Sequence, residues 1–460
     1  MGIFTQWLKD MGRAHRVRGF YGIGDDARVR LRKTVGAQSV WIVDVNILAF
    51  QIWWLDPETR EHTTVGTLED IVKALHQLVT EALRKNEARI VVAVADDQSR
   101  VWWMKRSTQK QRDLDQQPYA AGTTLDSVTG ILRLPTGEST STRISARRLM
   151  ASRSLRLALW RAWVNNIRDH AHKLFPACDP SLAQYLVVDI ERPTPDDPWC
   201  PVFRSGGVVA AVAHARLFGE ADLQQFTWVR RMRKMPICLH TTDSDTFPLA
   251  MLYLSQVAAQ EGKDEQRPLW WWRVPHESKP WYPQAVDLRK ARPHLPLSPE
   301  AFLMVCIASK TDFVDPADWL PRGITMRNRW TKCVEDDALC RKIVARAAFL
   351  PYVRATETWR TLAHVDDPKT WMPVRHLLDQ LTRRLLAFQL KVDEQTTWNE
   401  LAKKCFKRKT LQVRAQEERH AALLQVALLI RYWTPPWHKM YTGKRKAVRL
   451  SPFPKSWDLL

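Results

Sequence analysis

The chain has 460 residues, 45% hydrophobic and 26% charged, which is enough to bury a large core and excludes a disordered or low-complexity protein. Its 70 Lys and Arg against 49 Asp and Glu leave a net charge of +21, which favours polyanions, and nucleic acid above all, as partners. The seven cysteines are scattered with no Cys-x-x-Cys pair and no zinc-spaced quartet, and no apolar run is long enough to cross a bilayer, so a reduced nuclear or cytoplasmic setting without a membrane partner is expected.

Residues 39 to 45 form an apolar run that predicts a buried strand closing on Asp44, with Ile47, Leu48, Phe50 and Ile52 on a following helix. Residues 66 to 84 carry helical apolar spacing through Leu68, Ile71, Leu75, Leu78, Val79 and Leu83. Residues 89 to 95 predict a second strand, ending at Asp96. Strand, helix, strand in this order is a βαβ unit and implies a parallel sheet. Residues 97 to 150, rich in Arg, Lys, Gln, Ser and Thr, are expected to be a mobile basic insertion with some helix, and 151 to 174 a basic amphipathic helix. A strand is predicted at 185 to 190, a Pro-rich loop at Pro193 to Pro201, a helix at 208 to 234, and strands at 236 to 241 and 270 to 274. An apolar helix over 298 to 309 leads to Asp312. From about residue 330 the pattern is mainly helical, with basic runs at Lys403-Lys404, Lys407 to Lys409 and Lys444 to Lys446. Among the 22 tryptophans, the clusters Trp53-Trp54, Trp102-Trp103 and Trp270 to Trp272 suit base stacking or a core, and the core is the default.

In parallel α/β sheets, binding sites form beyond the C-terminal strand edges. Asp44, Asp96 and the pair Asp243 and Asp245 fall there. Asp243 and Asp245 stand two apart, so an extended segment points both side chains the same way. Glu220 and Asp222 form a second such pair one helix upstream. Hard divalent cations take oxygen ligands, and two ions about 4 Å apart can stabilise the attacking and leaving oxygens of a phosphodiester. Taken singly, an Asp after a strand is more often a turn former or helix cap. The joint pattern carries the metal-site expectation.

The order of these motifs resembles the flap endonuclease family of 5′ nucleases. Met1-Gly2-Ile3 is similar to the family's start, Val43-Asp44-Val45-Asn46 to its first metal-site strand, and Val94-Ala95-Asp96-Asp97 to its Val-Phe-Asp-Gly. Glu220-Ala221-Asp222 resembles Glu-Ala-Glu, Thr242-Asp243-Ser244-Asp245 resembles Thr-Glu-Asp-x-Asp, and Cys306 to Phe313 resembles the segment that ends in Asp-Tyr. The matches run from Met1 to about residue 325. The resemblance implies an α/β, PIN-like fold with a mainly parallel central sheet flanked by helices. Its nuclease core would span residues 1-330, with an arch or clamp and the following helix over 97-184, and a basic helical region would span 331-460.

It further implies a nuclease with two Mg²⁺ or Mn²⁺ ions. Asp44, Asp96, Glu220 and Asp222 would hold the ion that activates water, and Asp243, Asp245 and Asp312 would hold or orient the second. Gly2, Phe50 and the basic residues Lys105, Arg106, Lys110 and Arg112 would contact nucleic acid. Asp97 replaces the family's Gly, Glu191 is an alternative ligand, and only Arg322-Gly323-Ile324-Thr325 remains of the duplex-gripping element. The substrate implied first is 5′-flap DNA. The wider superfamily adds ribonucleases, among them 5′ exoribonucleases and viral host-shutoff enzymes, as an alternative. A catalytically inactive nucleic-acid-binding scaffold is the third.

Overall fold

The computed structural model describes residues 20–21, 25–36, 38–50, 52, 54–55, 62–86, 88–136, 142–174, 184–191, 199–204, 207–213, 219–232, 235–261, 267–273, 285–295, 297–309, 337–350, 368–405, 419 and 423–433. Gly2, Asp312, Arg322 to Thr325 and the basic runs at 407–409 and 444–446 lie outside them.

A nine-stranded sheet divides the molecule. Its strands are β1 (Phe20–Tyr21), β2 (Val40–Asp44), β3 (Ile90–Val94), β4 (Tyr185–Asp189), β5 (Trp199–Arg204), β6 (Gly207–Ala213), β7 (Ile237–His240), β8 (Leu269–Trp272) and β9 (Ala285–Asp287). Their order is β1-β9-β8-β7-β2-β3-β4-β5-β6. The five middle strands, β8 to β4, run parallel, and β1, β9, β5 and β6 extend the sheet antiparallel at both sides. The fold is therefore α/β with a mixed sheet, parallel at its centre.

The central strands are apolar up to their C-terminal residues because both faces are covered. Val40, Ile42, Val92, Leu239 and Trp271 point into one core, and Trp41, Val43, Val91, Cys238 and Trp270 into the other. On the second face lie α1 (Asp25–Val35), α2 (Val45–Phe50), α3 (Leu68–Asn86), α5 (Ala146–Met150) and α6 (Arg153–Leu174). The first face carries α7 (Ala221–Arg231), α8 (Thr246–Glu261) and α9 (Pro299–Ser309). Helices α10 (Asp337–Ala347) and α11 (Pro368–Leu390), with helical residues 423–433, join the same cluster, so the helical C-terminal region shares a core with the sheet.

Two expectations from the pattern are corrected. The stretch 208 to 234 is not one helix: it holds β6 and then α7, and the predicted Pro-rich loop runs into β5. Val202, Phe203, Val208 and Val212 suit a pleated surface, and β5 and β6 pair antiparallel with a register shift at Val202/Phe203. The insertion after Asp96 is also packed over much of its described length. Val101, Trp102, Met104, Leu125 and Leu132 are buried, and Trp102 stacks on Tyr432 with ring centroids 4.5 Å apart. Helix α4 (Arg106–Asp115) holds no buried residue, though Thr108, Gln109, Arg112 and Asp113 are partly covered. Trp102 and Trp270 to Trp272 are core residues, which removes them as base-stacking platforms.

Candidate active site

The strand order turns at β2, because the chain builds outward to β3 and β4 on one side and to β7 and β8 on the other. Such a reversal leaves a crevice at the C-terminal strand ends. Asp44 ends β2 on the floor of that crevice. Its Oδ1 accepts the amide of Ile47 (3.2 Å), capping α2, and its Oδ2 accepts Thr241 Oγ1 (3.5 Å). Asp96, two residues beyond β3, accepts the amide of Ala221 (2.8 Å) and so ties the start of α7 to the sheet. Both carboxylates are caps as well as crevice residues, so the two readings of a post-strand Asp hold together here.

Beyond β7, Thr241 Oγ1 accepts the amide of Asp243 (3.1 Å), and Asp243 Oδ1 accepts the amide of Asp245 (3.0 Å). Trp271 Nε1 donates to the Thr241 carbonyl (3.0 Å) and Arg273 to that of Thr242 (3.2 Å), which holds this turn against β8. Thr246, at the start of α8, donates to Asp222 Oδ1 (3.2 Å).

Glu220 precedes α7. One of its oxygens takes the Lys105 ammonium in a buried ion pair; the other, Oε1, is buried with no hydrogen-bond partner. Six acidic side chains from four segments thus share one pocket with a lysine. Burial drives the Asp44 carboxyl well above its ordinary range, and Asp96 and Asp243 add to the rise. Asp222 is raised likewise by burial and by Asp243, Asp44 and Asp245. Burial lifts Glu220 to about 7, against the pull of Lys105. Burial pulls the Lys105 pKa down, but Glu220, Asp96 and Asp222 outweigh it and keep the ammonium charged, with a raised pKa.

The placement of each expected residue follows from this. Asp44, Asp96, Glu220, Asp222, Asp243 and Asp245 are brought together. Phe50, at the end of α2, is partly buried against the core. Lys105 lies inside the pocket rather than on a solvated arch, while Arg106 and Lys110 are exposed on α4 and Arg112 is half-buried. Glu191 is engaged elsewhere: Arg153 donates to it (2.6 Å), and the amide of Gln98 approaches it at 3.4 Å.

At Asp97 the side chain stays within its own turn, and the backbone ties that turn to the segment before Glu220. The Asp97 amide donates to the Gly219 carbonyl (2.7 Å), and its Oδ1 accepts the amide of Ser99 (3.1 Å). This seats the turn before Glu220 on the turn after Asp96. A Cβ on Gly219 would stand 2.3 Å from the backbone of Arg100 and Val101. Gly219→Ala is expected to force the two turns apart, costing about 1–3 kcal/mol of stability and moving Glu220 off Lys105. Urea unfolding checks this, and an unchanged midpoint would show that the turns can separate freely.

Three site residues escaped the sequence reading. Thr241 and Thr246 are ordinary turn and cap residues in sequence. Arg156 did carry a signal, because it occupies the buried stripe of α6 with Leu159, Trp160, Trp163 and Ile167, where a charge is out of place. Asp189, at the end of β4, is a fully buried carboxylate of a different kind, held by Trp228 Nε1 (2.7 Å) and Gln224 (3.2 Å).

The donor set suits a hard divalent cation. It is all carboxylate oxygen, it is desolvated, and Glu220 Oε1 is an acceptor without a donor. Among the described residues no three His, Cys, Asp or Glu groups are closed to ligand spacing around one point. The Lys105 ammonium sits among the carboxylates instead. A comparison with models of known protein families finds no match, and a comparison with characterised proteins finds no similar sequence.

Proposed function

We propose that this chain is a divalent-metal-dependent nuclease of the flap endonuclease-like, PIN-like kind, acting first on 5′-flap DNA. The convergence of Asp44, Asp96, Glu220, Asp222, Asp243 and Asp245 on one crevice carries the proposal. Like charges gathered in a desolvated pocket are costly unless cations offset them. The net charge of +21 supports a polyanionic substrate, and Arg106 and Lys110 are exposed on the helix beside the crevice.

Asp44, Asp96, Glu220 and Asp222 would hold one Mg²⁺ or Mn²⁺, and Asp243 and Asp245 a second; Asp312 belongs to the same proposed set. Bound there, such ions supply Lewis-acid stabilisation of the phosphodiester oxygens and a more acidic water. The protein's own part is positional. The Ala221 and Asp245 amides and the Thr246 hydroxyl each fix one oxygen of Asp96, Asp243 and Asp222 in turn, and Asp44 is held at both oxygens, by the Ile47 amide and the Thr241 hydroxyl. Lys105 brings a permanent positive charge to the Glu220 side, where a phosphate would gain from it.

The test is a labelled 5′-flap DNA and a sequence-matched RNA, each incubated with Mg²⁺ or Mn²⁺ and with chelator. Cleavage of the DNA that chelator abolishes is the expected result. Cutting of the RNA alone would move the assignment to a ribonuclease. Binding of both without cutting of either, in both metals, would leave a nucleic-acid-binding scaffold and overturn the nuclease.

A further inference from the structure

Beside the carboxylates lies a buried cation that the metal chemistry does not use. Arg156, in the first turn of α6, is 4% exposed. One guanidinium nitrogen donates to the Met150 carbonyl (2.7 Å), and the other terminal nitrogen, Nη2, is buried with no hydrogen-bond partner. The charged groups facing it are Asp113 of α4, Asp96 of the crevice, Glu191 of the turn after β4, and Arg153 on its own helix. None of the three carboxylates receives a hydrogen bond from it among the described bonds. Glu191 is taken by Arg153, Asp96 accepts the Ala221 amide, and Asp113 accepts Gln109 (3.0 Å).

An arginine cannot shed its charge at physiological pH, and a buried guanidinium with an unmet donor is unfavourable unless an anion completes it. A structural arginine would be expected to close a fork on one of the carboxylates around it, whereas this one is held from behind by a carbonyl. Planar, always charged and two-pronged, a guanidinium matches the oxygens of a phosphate.

We propose that Arg156 is a phosphate-positioning residue, whose free nitrogen takes a non-bridging oxygen of a nucleic-acid phosphate lying between Asp96 and helix α4. Arg153, half-exposed one turn earlier and anchored by Glu191, guides the strand toward it. The inference rests on the nuclease reading for its substrate class, but the site itself requires only a phosphate.

The experiment measures binding of a fluorescein-labelled 5′-flap DNA to Arg156→Gln and Arg156→Lys in calcium buffer, across a salt series, with melting curves alongside. The expected result is a loss of affinity of about tenfold or more in Arg156→Gln, with a melting temperature close to wild type. The slope of log affinity against log salt should shallow by about one unit. Arg156→Lys restores the slope but only part of the affinity. If the glutamine variant does not fold, the lysine variant decides. A folded lysine variant with weakened binding supports the site, and one with wild-type affinity overturns it. Unchanged affinity and slope in a folded glutamine variant also overturn it. Because binding is read without cleavage, a wild type that cuts nothing yet loses affinity on Arg156→Gln would remove the nuclease and keep the phosphate site.

Discussion

Asp243→Asn combined with Asp245→Asn is expected to lower single-turnover cleavage by at least about a thousandfold, since several kcal/mol of charge stabilisation depend on those ligands. The same double variant should melt no lower than wild type in chelator, and higher near neutral pH. Asp243 raises the proton affinity of Asp44 and Asp222, and Asp245 that of Asp222, so removing both charges relieves repulsion in the metal-free pocket. An amide oxygen at position 243 can still accept the backbone amide of residue 245, so the turn keeps its bond. Cleavage and melting therefore move in opposite directions, a signature that misfolding cannot imitate. Cleavage within tenfold of wild type would show that these side chains hold no ion the reaction needs.

The second large effect is a pH dependence that metal removes. Asp44 and Asp222 have folded pKa values well above 3.8, and Glu220 stands at about 7 against an ordinary 4.5. In that window the folded protein keeps protons that the unfolded chain has released. Metal-free stability therefore falls as pH rises from the ordinary carboxylate range toward about 7, the opposite of an ion-paired carboxylate, by on the order of a few kcal/mol. Other groups titrate as well, so the comparison is with Asp44→Asn, which should gain on the wild type in chelator as pH rises. Saturating Mn²⁺ supplies the missing positive charge and should raise the wild-type melting temperature more at about pH 8 than at about pH 5, with the difference shrinking in the variant. A gap between the two proteins that stays constant across pH would mean the pocket is more solvated than its burial implies.

The middle of the sheet was legible along the chain. Residues 40–43, 90–94, 185–188, 237–239 and 269–272 are short uninterrupted apolar runs, which a strand covered on both faces requires. The acidic residues that follow several of these runs stand where a parallel sheet places its binding edge. The hairpin β5–β6 was not legible, because a strand at the side of a sheet is defined by the strand it pairs with. The first half of helix α8 shows no stripe: Phe247, Leu249, Ala250, Met251, Leu252, Tyr253 and Leu254 are all buried, so residues 247–254 are covered all round.

Written in the chain itself are the parallel α/β core and the positions of the acidic residues, because both follow from continuous apolar runs, helical spacing and residue type. Tertiary packing alone decided that Lys105 enters the carboxylate pocket instead of facing water, that Glu191 is claimed by Arg153, and that Arg156 is buried with a donor unmet. The electrostatics of a charged side chain depend on which charges reach it and how much water is removed. Those quantities are set by segments 38 to 115 residues away along the chain, and no local pattern encodes them.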